Sequence, residues 1–169
     1  MTDIDLCKEG SQKNLDEDTQ ESKYLTFSLC GEEYGIGISN VIEIIGIQRI
    51  THLPGAPDFL KGVINLRGKV IPVMDVRLRF GCDEKEYNER TCIVVINLNN
   101  LSVGLIVDTV SEVLDIPAEN IETLPKVNNQ TGSRYIEGLG KVDDQVKILL
   151  NTHKLLFSEE TEQIIEALN

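Results

Sequence analysis

The chain has 169 residues, 41% of them hydrophobic, and a formal net charge of -12. That length buries one real core as a single compact domain, no apolar run approaches the roughly 20 residues of a membrane-crossing helix, and without clustered Lys and Arg a nucleic-acid partner is argued against. The charge is concentrated at the ends: residues 1–22 hold seven acids and two bases and residues 158–169 hold four acids and no base, which leaves -3 for the body.

Residues 1–22 have few large apolar side chains and read as a disordered acidic tail. Their start, "MTDIDLCKEG", lacks the basic opening and apolar stretch of a secretory signal, so a cytoplasmic protein is expected. From Tyr24 the pattern alternates, with Leu25, Phe27 and Leu29 on one side, the period of a half-buried strand. "CGEEYG" then reads as a hairpin turn. Further strands are predicted in "VIEIIGIQRI", "KGVINL", "KVIPVM", "TCIVVINL", "VGLIVDTV", "EVLDIP" and "KILLN", bounded by Gly, Asn, Asp or Pro. Helical patterns are short: "APDFL", "DVRLRF" after Asp75, and the ending from His153, where Ser158 followed by Glu160 and Glu162 predicts a C-terminal helix over 158–169.

The body repeats itself. "YGIGISNVIEII" (34–45) matches "VGLIVDTVSEVL" (103–114) at an offset of 69, pairing Gly35 with Gly104, Val41 with Val110 and Glu43 with Glu112. "FLKGVINLRGKVIPVMD" (59–75) matches "YIEGLGKVDDQVKILLN" (135–151) at an offset of 76, pairing Phe59 with Tyr135, Gly62 with Gly138, Val70 with Val146 and Asp75 with Asn151. In each half a strand, a Gly-rich turn and a second strand lead to an acid or amide placed to begin a short helix. The expectation is a mainly β domain over 23–157, made of two small barrels about a pseudo-twofold, with approximate halves 24–81 and 91–157 and a groove at their junction.

Catalytic and metal chemistry find little support. Cys7, Cys30, Cys82 and Cys92 form no CxxC pair and are expected to be free thiols. His52 and His153, the two histidines, have no nucleophile or metal-ligand spacing around them, and no phosphate-cradling glycine motif is present. Glu43, Asp75, Asp108, Glu112 and Asp115 are read as caps and solvated edges; an enzyme using a pair of them is the rival reading. No catalytic residue, metal or cofactor is predicted.

The strings "EEYGIGISNVIEII", "THLPGAPDFLKGVINLRGKVIPVMDVRLRFG" and "VGLIVDTVSEVLDI" resemble the CheW-like domain family of chemotaxis coupling proteins, over about Tyr24 to Phe157. The resemblance implies two SH3-like five-stranded barrels and a non-catalytic adaptor that couples the cytoplasmic hairpin tips of methyl-accepting chemoreceptors to the histidine kinase CheA, reaching the membrane only through receptor arrays. The kinase CheA and CheV share the module. The short flanks imply that kinase, phosphotransfer and receiver domains are absent, and an adaptor for a CheA-like pathway with a non-motility output is the alternative.

Carried onto this chain, the family's receptor-contacting groove falls on Val41, Glu43, Arg67, Val110 and Val113, and its kinase contact on Gly62 and Gly68. Ile45 stands where family members often carry a basic residue. Arg67 is expected to leave the hairpin tip and meet a docking helix, because the local sequence has no acid closer than Asp75 to pair with it.

Overall fold

The computed structural model describes residues 22–98, 100–123 and 135–156. The predicted tail over 1–22, except Ser22, and the predicted helix over 158–169 lie outside those residues. The first half supplies β1 (Lys23–Leu29), β2 (Glu32–Gly37), β3 (Val41–Gly46), β4 (Leu60–Leu66) and β5 (Lys69–Asp75), followed by the short helix α1 (Val76–Arg79). The second supplies β6 (Cys92–Leu98), β7 (Leu101–Val107), β8 (Thr109–Asp115), β9 (Ile121–Glu122), β10 (Ile136–Val142) and β11 (Gln145–Leu150), followed by α2 (Thr152–Leu156). The repeat is therefore structural: β1 and β6 start 69 residues apart, as do β2 and β7, and β4 and β10 start 76 apart, as do β5 and β11. "APDFL" forms a turn instead of a helix, closed by the Leu60 N–H donating to the Pro57 carbonyl at 3.0 Å.

The sheets do not coincide with the repeat halves. One sheet has the order β8-β1-β2-β11-β10-β9 and the other β3-β6-β7-β5-β4, so the hairpin β1–β2 of the first half is built into the second unit and β6–β7 of the second half into the first. The exchange is reciprocal down to pairing sense: β2 runs parallel to β11 and β7 parallel to β5, while β1 is antiparallel to β8 and β6 to β3. These are the two five-stranded SH3-like units, with the two-residue β9 added at one edge.

Alternation along the strands explains why the sheets pack face to face. Leu25, Phe27 and Leu29 of β1 enter one large cluster with Val94 and Ile96 of β6, Val103, Leu105 and Val107 of β7, and Phe59, Met74, Tyr135 and Leu150. This core is shared between the two sheets. On its other face the β3–β7 sheet has a core of its own, Ile64, Ile71, Val73, Ile93, Val95 and Ile106, against which Ile45 packs. Ile45 thus has an apolar packing role.

The repeat breaks at the matching place in the other sheet. The counterparts of Val95 and Ile71 are Thr26 and Lys147, both buried. Lys147 Nζ donates to Gln145 Oε1 at 3.0 Å and lies 3.5 Å from Glu33, and Ser28 and Ser111 both donate to the Glu33 carboxylate. Burial alone would push the Glu33 carboxyl up; those two hydroxyls and the Lys147 charge together bring it below the ordinary value.

Both helices start as the repeat predicts. Asp75 accepts from the Arg77 and Leu78 N–H groups, and Asn151 from the Lys154 N–H, which satisfies otherwise orphaned donors. The Asp75 and Asn151 amides donate to the carbonyls of Phe59 and Tyr135, each at 2.7 Å. Asp75 also accepts from the Tyr87 hydroxyl at 2.8 Å, and burial first, then this bond and the Asp75 charge, push the Tyr87 phenol up.

The free-thiol expectation fails at two positions. Cys30, in the β1–β2 turn, and Cys82, just beyond α1, form a disulfide with Cα atoms 6.6 Å apart, while Cys92 is free. Fifty-two residues of separation hid the pairing from a reading of spacing alone.

Candidate functional site

The β4–β5 turn is two residues long and both have positive φ, Arg67 at 51° and Gly68 at 85°. That is the hairpin turn whose twist suits flanking strands, and its first position ordinarily selects Asn, Asp or Gly. Asn65 Oδ1 accepts from the Gly68 N–H at 2.8 Å and helps to close it. An arginine at a left-handed position costs backbone energy, which directs attention to what its side chain does.

Arg67 reaches across the sheet to β3. Its Nη1 and Nη2 each donate to one oxygen of Glu43 at 2.6 Å, a bidentate pair that fixes the guanidinium plane. The Arg67 side chain is nevertheless 71% exposed, against 23% for Glu43. The lack of a local acid does not leave Arg67 unpaired within the chain: its partner lies 24 residues earlier. The pair leaves the outer face of the guanidinium available to solvent or to a docking molecule, already oriented.

The Arg67 bonds hold the Glu43 carboxyl below its ordinary value, outweighing burial, which pushes the other way, and the Arg67 charge adds to them. A group depressed on folding keeps its partner above its unfolded pKa and loses it as pH falls through the folded one. Glu43 should accordingly titrate below the ordinary glutamate range, and Arg67→Ala should return it to that range; carbon-detected NMR titration of the side-chain carboxyl checks both. An unshifted Glu43 in the unmodified protein would mean that the pair is not formed in solution.

The other predicted receptor residues divide. Val41 and Val110, paired by the repeat, stand at or next to the start of the edge strands β3 and β8 and pack in part against the shared core. They are half-buried, so substitution there touches the fold as well as any surface. Val113, on β8, is 49% exposed. Its repeat partner on β3 is Ile44, 43% exposed, and the neighbouring Ile42 is 52% exposed. These two isoleucines were missed, although the 69-residue offset leads from Val113 to Ile44. Val70 and Val146, paired by the other offset, are also exposed, at 45% and 52%. Exposed apolar residues thus recur at symmetry-related positions, which single scattered exposures do not.

Gly68 stands open at the hairpin tip, with nothing within 4 Å of where a Cβ would lie. Gly62 is different. It is buried, has φ of 150°, and a Cβ there would meet the Thr51 carbonyl oxygen at 2.0 Å. A partner has no side chain to touch at Gly62, and a change there acts through the fold.

His52 and His153 are exposed, and among the described residues no group of three or more His, Cys, Asp or Glu stands close enough to hold a metal ion. The Arg67–Glu43 pair presents an oriented guanidinium, and exposed apolar residues stand on the edge strands β3 and β8.

Residues 23–160 match the CheW-like domain family. The chain is 41% identical over 143 residues to the chemotaxis protein CheW of Klebsiella aerogenes, covering 85% of this chain and 86% of the relative, and 31% identical over 143 residues to that of Bacillus subtilis, covering 85% and 92%. The crystal structure of the scaffolding protein TtCheW from Thermoanaerobacter tengcongensis superposes with a TM-score of 0.77 at 37% identity, covering 84% of this chain and 97% of that one.

Proposed function

The chain belongs to the CheW-like domain family, and on that premise we propose that it is a non-catalytic adaptor linking the cytoplasmic hairpin tips of methyl-accepting chemoreceptors to the histidine kinase CheA, so that receptor state alters kinase activity. It works in the cytoplasm and joins membrane arrays through the receptors; among the described residues no helix is long and apolar enough to cross a membrane. The observation that carries the reading is Arg67, held by Glu43 in a strained turn yet mostly exposed. A helical tip offers a carboxylate or free helix-end carbonyls to that fork, and apolar anchors at helical spacing to Val113 and Ile44. Val41 and Val110 support these edge strands from beneath. The kinase meets the strand ends at the β4–β5 tip around Gly68, whereas Gly62 preserves the local backbone.

Arg67→Asn separates this reading from a structural one. Asn is favoured at the turn position, so the hairpin should be kept and the thermal midpoint held or raised, while capture of a receptor cytoplasmic fragment falls by roughly 5- to 150-fold and CheA pull-down is unchanged. Arg67→Lys should recover little of the loss, because one ammonium cannot replace the planar fork. Equal loss of both partners, or early melting of Arg67→Asn, would make Arg67 a structural clamp.

A further inference from the structure

We propose that Cys30 and Cys82 form a reversible thiol–disulfide clamp that sets the freedom of the irregular segment 83–90. The disulfide joins the tip of the exchanged β1–β2 hairpin to the first residue beyond the α1 turn, so it ties one sheet to the connection leaving the other. Both cysteines are half-buried, which leaves the bond open to an incoming thiol. Cleavage needs access as well as a reactive sulfur.

Polar contacts hold the same junction independently of the sulfur bond. Asp108 Oδ2 accepts from the Cys30 N–H at 3.4 Å and from Arg77 Nη1 at 2.7 Å. The Cys82 N–H donates to the Arg77 carbonyl at 2.8 Å, and Arg77 Nε to the Asp83 carbonyl at 3.0 Å. After reduction the two thiols therefore stay neighbours and can reclose. The segment that follows has no regular structure, is exposed at every position from 83 to 90 except Tyr87, and forms a groove wall with Ser28, Asp108 and Thr109. Its other ties include the Glu84 bond from Lys61, the Tyr87 bond to Asp75, the packing of Tyr87 against the second core, and the bond from the Asn88 N–H to Thr91 Oγ1 near its far end. Releasing Cys82 removes its covalent anchor at the N-terminal end.

The chemistry balances with a small thiol and its disulfide as co-reactants. One reductant thiolate attacks a sulfur of the Cys30–Cys82 bond, giving a mixed disulfide and a cysteine thiolate; a second reductant thiol resolves it. Two reductant thiols become one disulfide, and the two cysteines gain two electrons and two protons. Oxidation by the small disulfide reverses each step.

The test uses the full chain equilibrated across a series of reduced-to-oxidised glutathione ratios, quenched in acid, alkylated after denaturation and peptide-mapped. The expected result is labelling of Cys7 and Cys92 throughout, with Cys30 and Cys82 becoming labelled together as the ratio turns reducing and protected again on return. Limited proteolysis in parallel should show cleavage within 83–90 rising on the order of tenfold in the reduced protein, and Cys82→Ser should cleave at the fast rate in both conditions. Three outcomes overturn the proposal: Cys30 and Cys82 labelled at every ratio, a bond that no thiol reduces in the folded protein, or a cleavage rate indifferent to redox state. Pairing of either cysteine with Cys7 or with a second molecule overturns it too.

Discussion

Gly62→Ala should leave little folded protein. The new methyl would sit 2.0 Å from the Thr51 carbonyl oxygen and 2.7 Å from its carbon, at a φ of 150° that L side chains rarely adopt. Thr51 cannot retreat without loss, because its N–H donates to the Val63 carbonyl at 2.8 Å and its carbonyl accepts from the Val63 N–H at 2.9 Å. Relief requires breaking that bridge at the bulge where β4 shifts register between Leu60 and Gly62. A backbone clash of this kind belongs to the largest single-site effects, on the order of 4 kcal/mol or more. Gly68→Ala is the control: its φ of 85° still costs about 1 kcal/mol, but open space surrounds it. Circular dichroism melts of the two variants should differ widely. A cooperative, near-normal melt for Gly62→Ala with loss of CheA binding would restore Gly62 to the kinase contact.

Cys82→Ser should produce the second large effect, measured as the difference in thermal midpoint from the oxidised chain. Closing a ring of this 52-residue separation lowers the entropy of the unfolded ensemble, and the loop-closure relation assigns it about 4 kcal/mol. For a chain of this size that corresponds to roughly 8–16 °C. Cys30→Ser should match it, and the double variant should lose no more than either single one. In a scan with excess dithiothreitol the unmodified chain should fall to the variants' value. If midpoints differ by less than a couple of degrees, either the bond is not formed in solution or the unfolded chain already keeps these residues together.

Local features were legible because local chemistry causes them. The alternation around Phe27, the Asp75 and Asn151 caps and the Arg67–Gly68 turn each depend on a few consecutive residues. The repeat was legible too, since equal environments select similar residues at both offsets. What stayed hidden depends on which segments meet. Nothing near Arg67 names Glu43 as its partner, and Cys82 carries no mark of Cys30. A repeat declares two things alike without saying whose strands complete whose sheet, so separate halves were expected where hairpins are exchanged. At the site, Glu43, Arg67 and Val113 emerge on the surface, Val41 and Val110 contribute from the partly buried layer, and Ile44 became evident once β3 was known to be an edge.

The hairpin exchange also bears on how the protein is made. While the ribosome is still short of β11, the hairpin β1–β2 has no parallel neighbour, and β5 waits for β7 across the whole β6–β7 hairpin. Pairings so distant along the chain are slow to close, because loop entropy is lost before contacts return it. The sheet that spans β3 to β7 has all its strands once Val107 has been made, whereas the sheet begun by β1–β2 cannot close before β11, so that sheet should finish last, with an exposed edge until then. Conversely, two fragments divided between Gly81 and Thr91 would each carry a hairpin that the other lacks; neither would fold alone, yet mixed they would assemble into the two sheets of the intact chain.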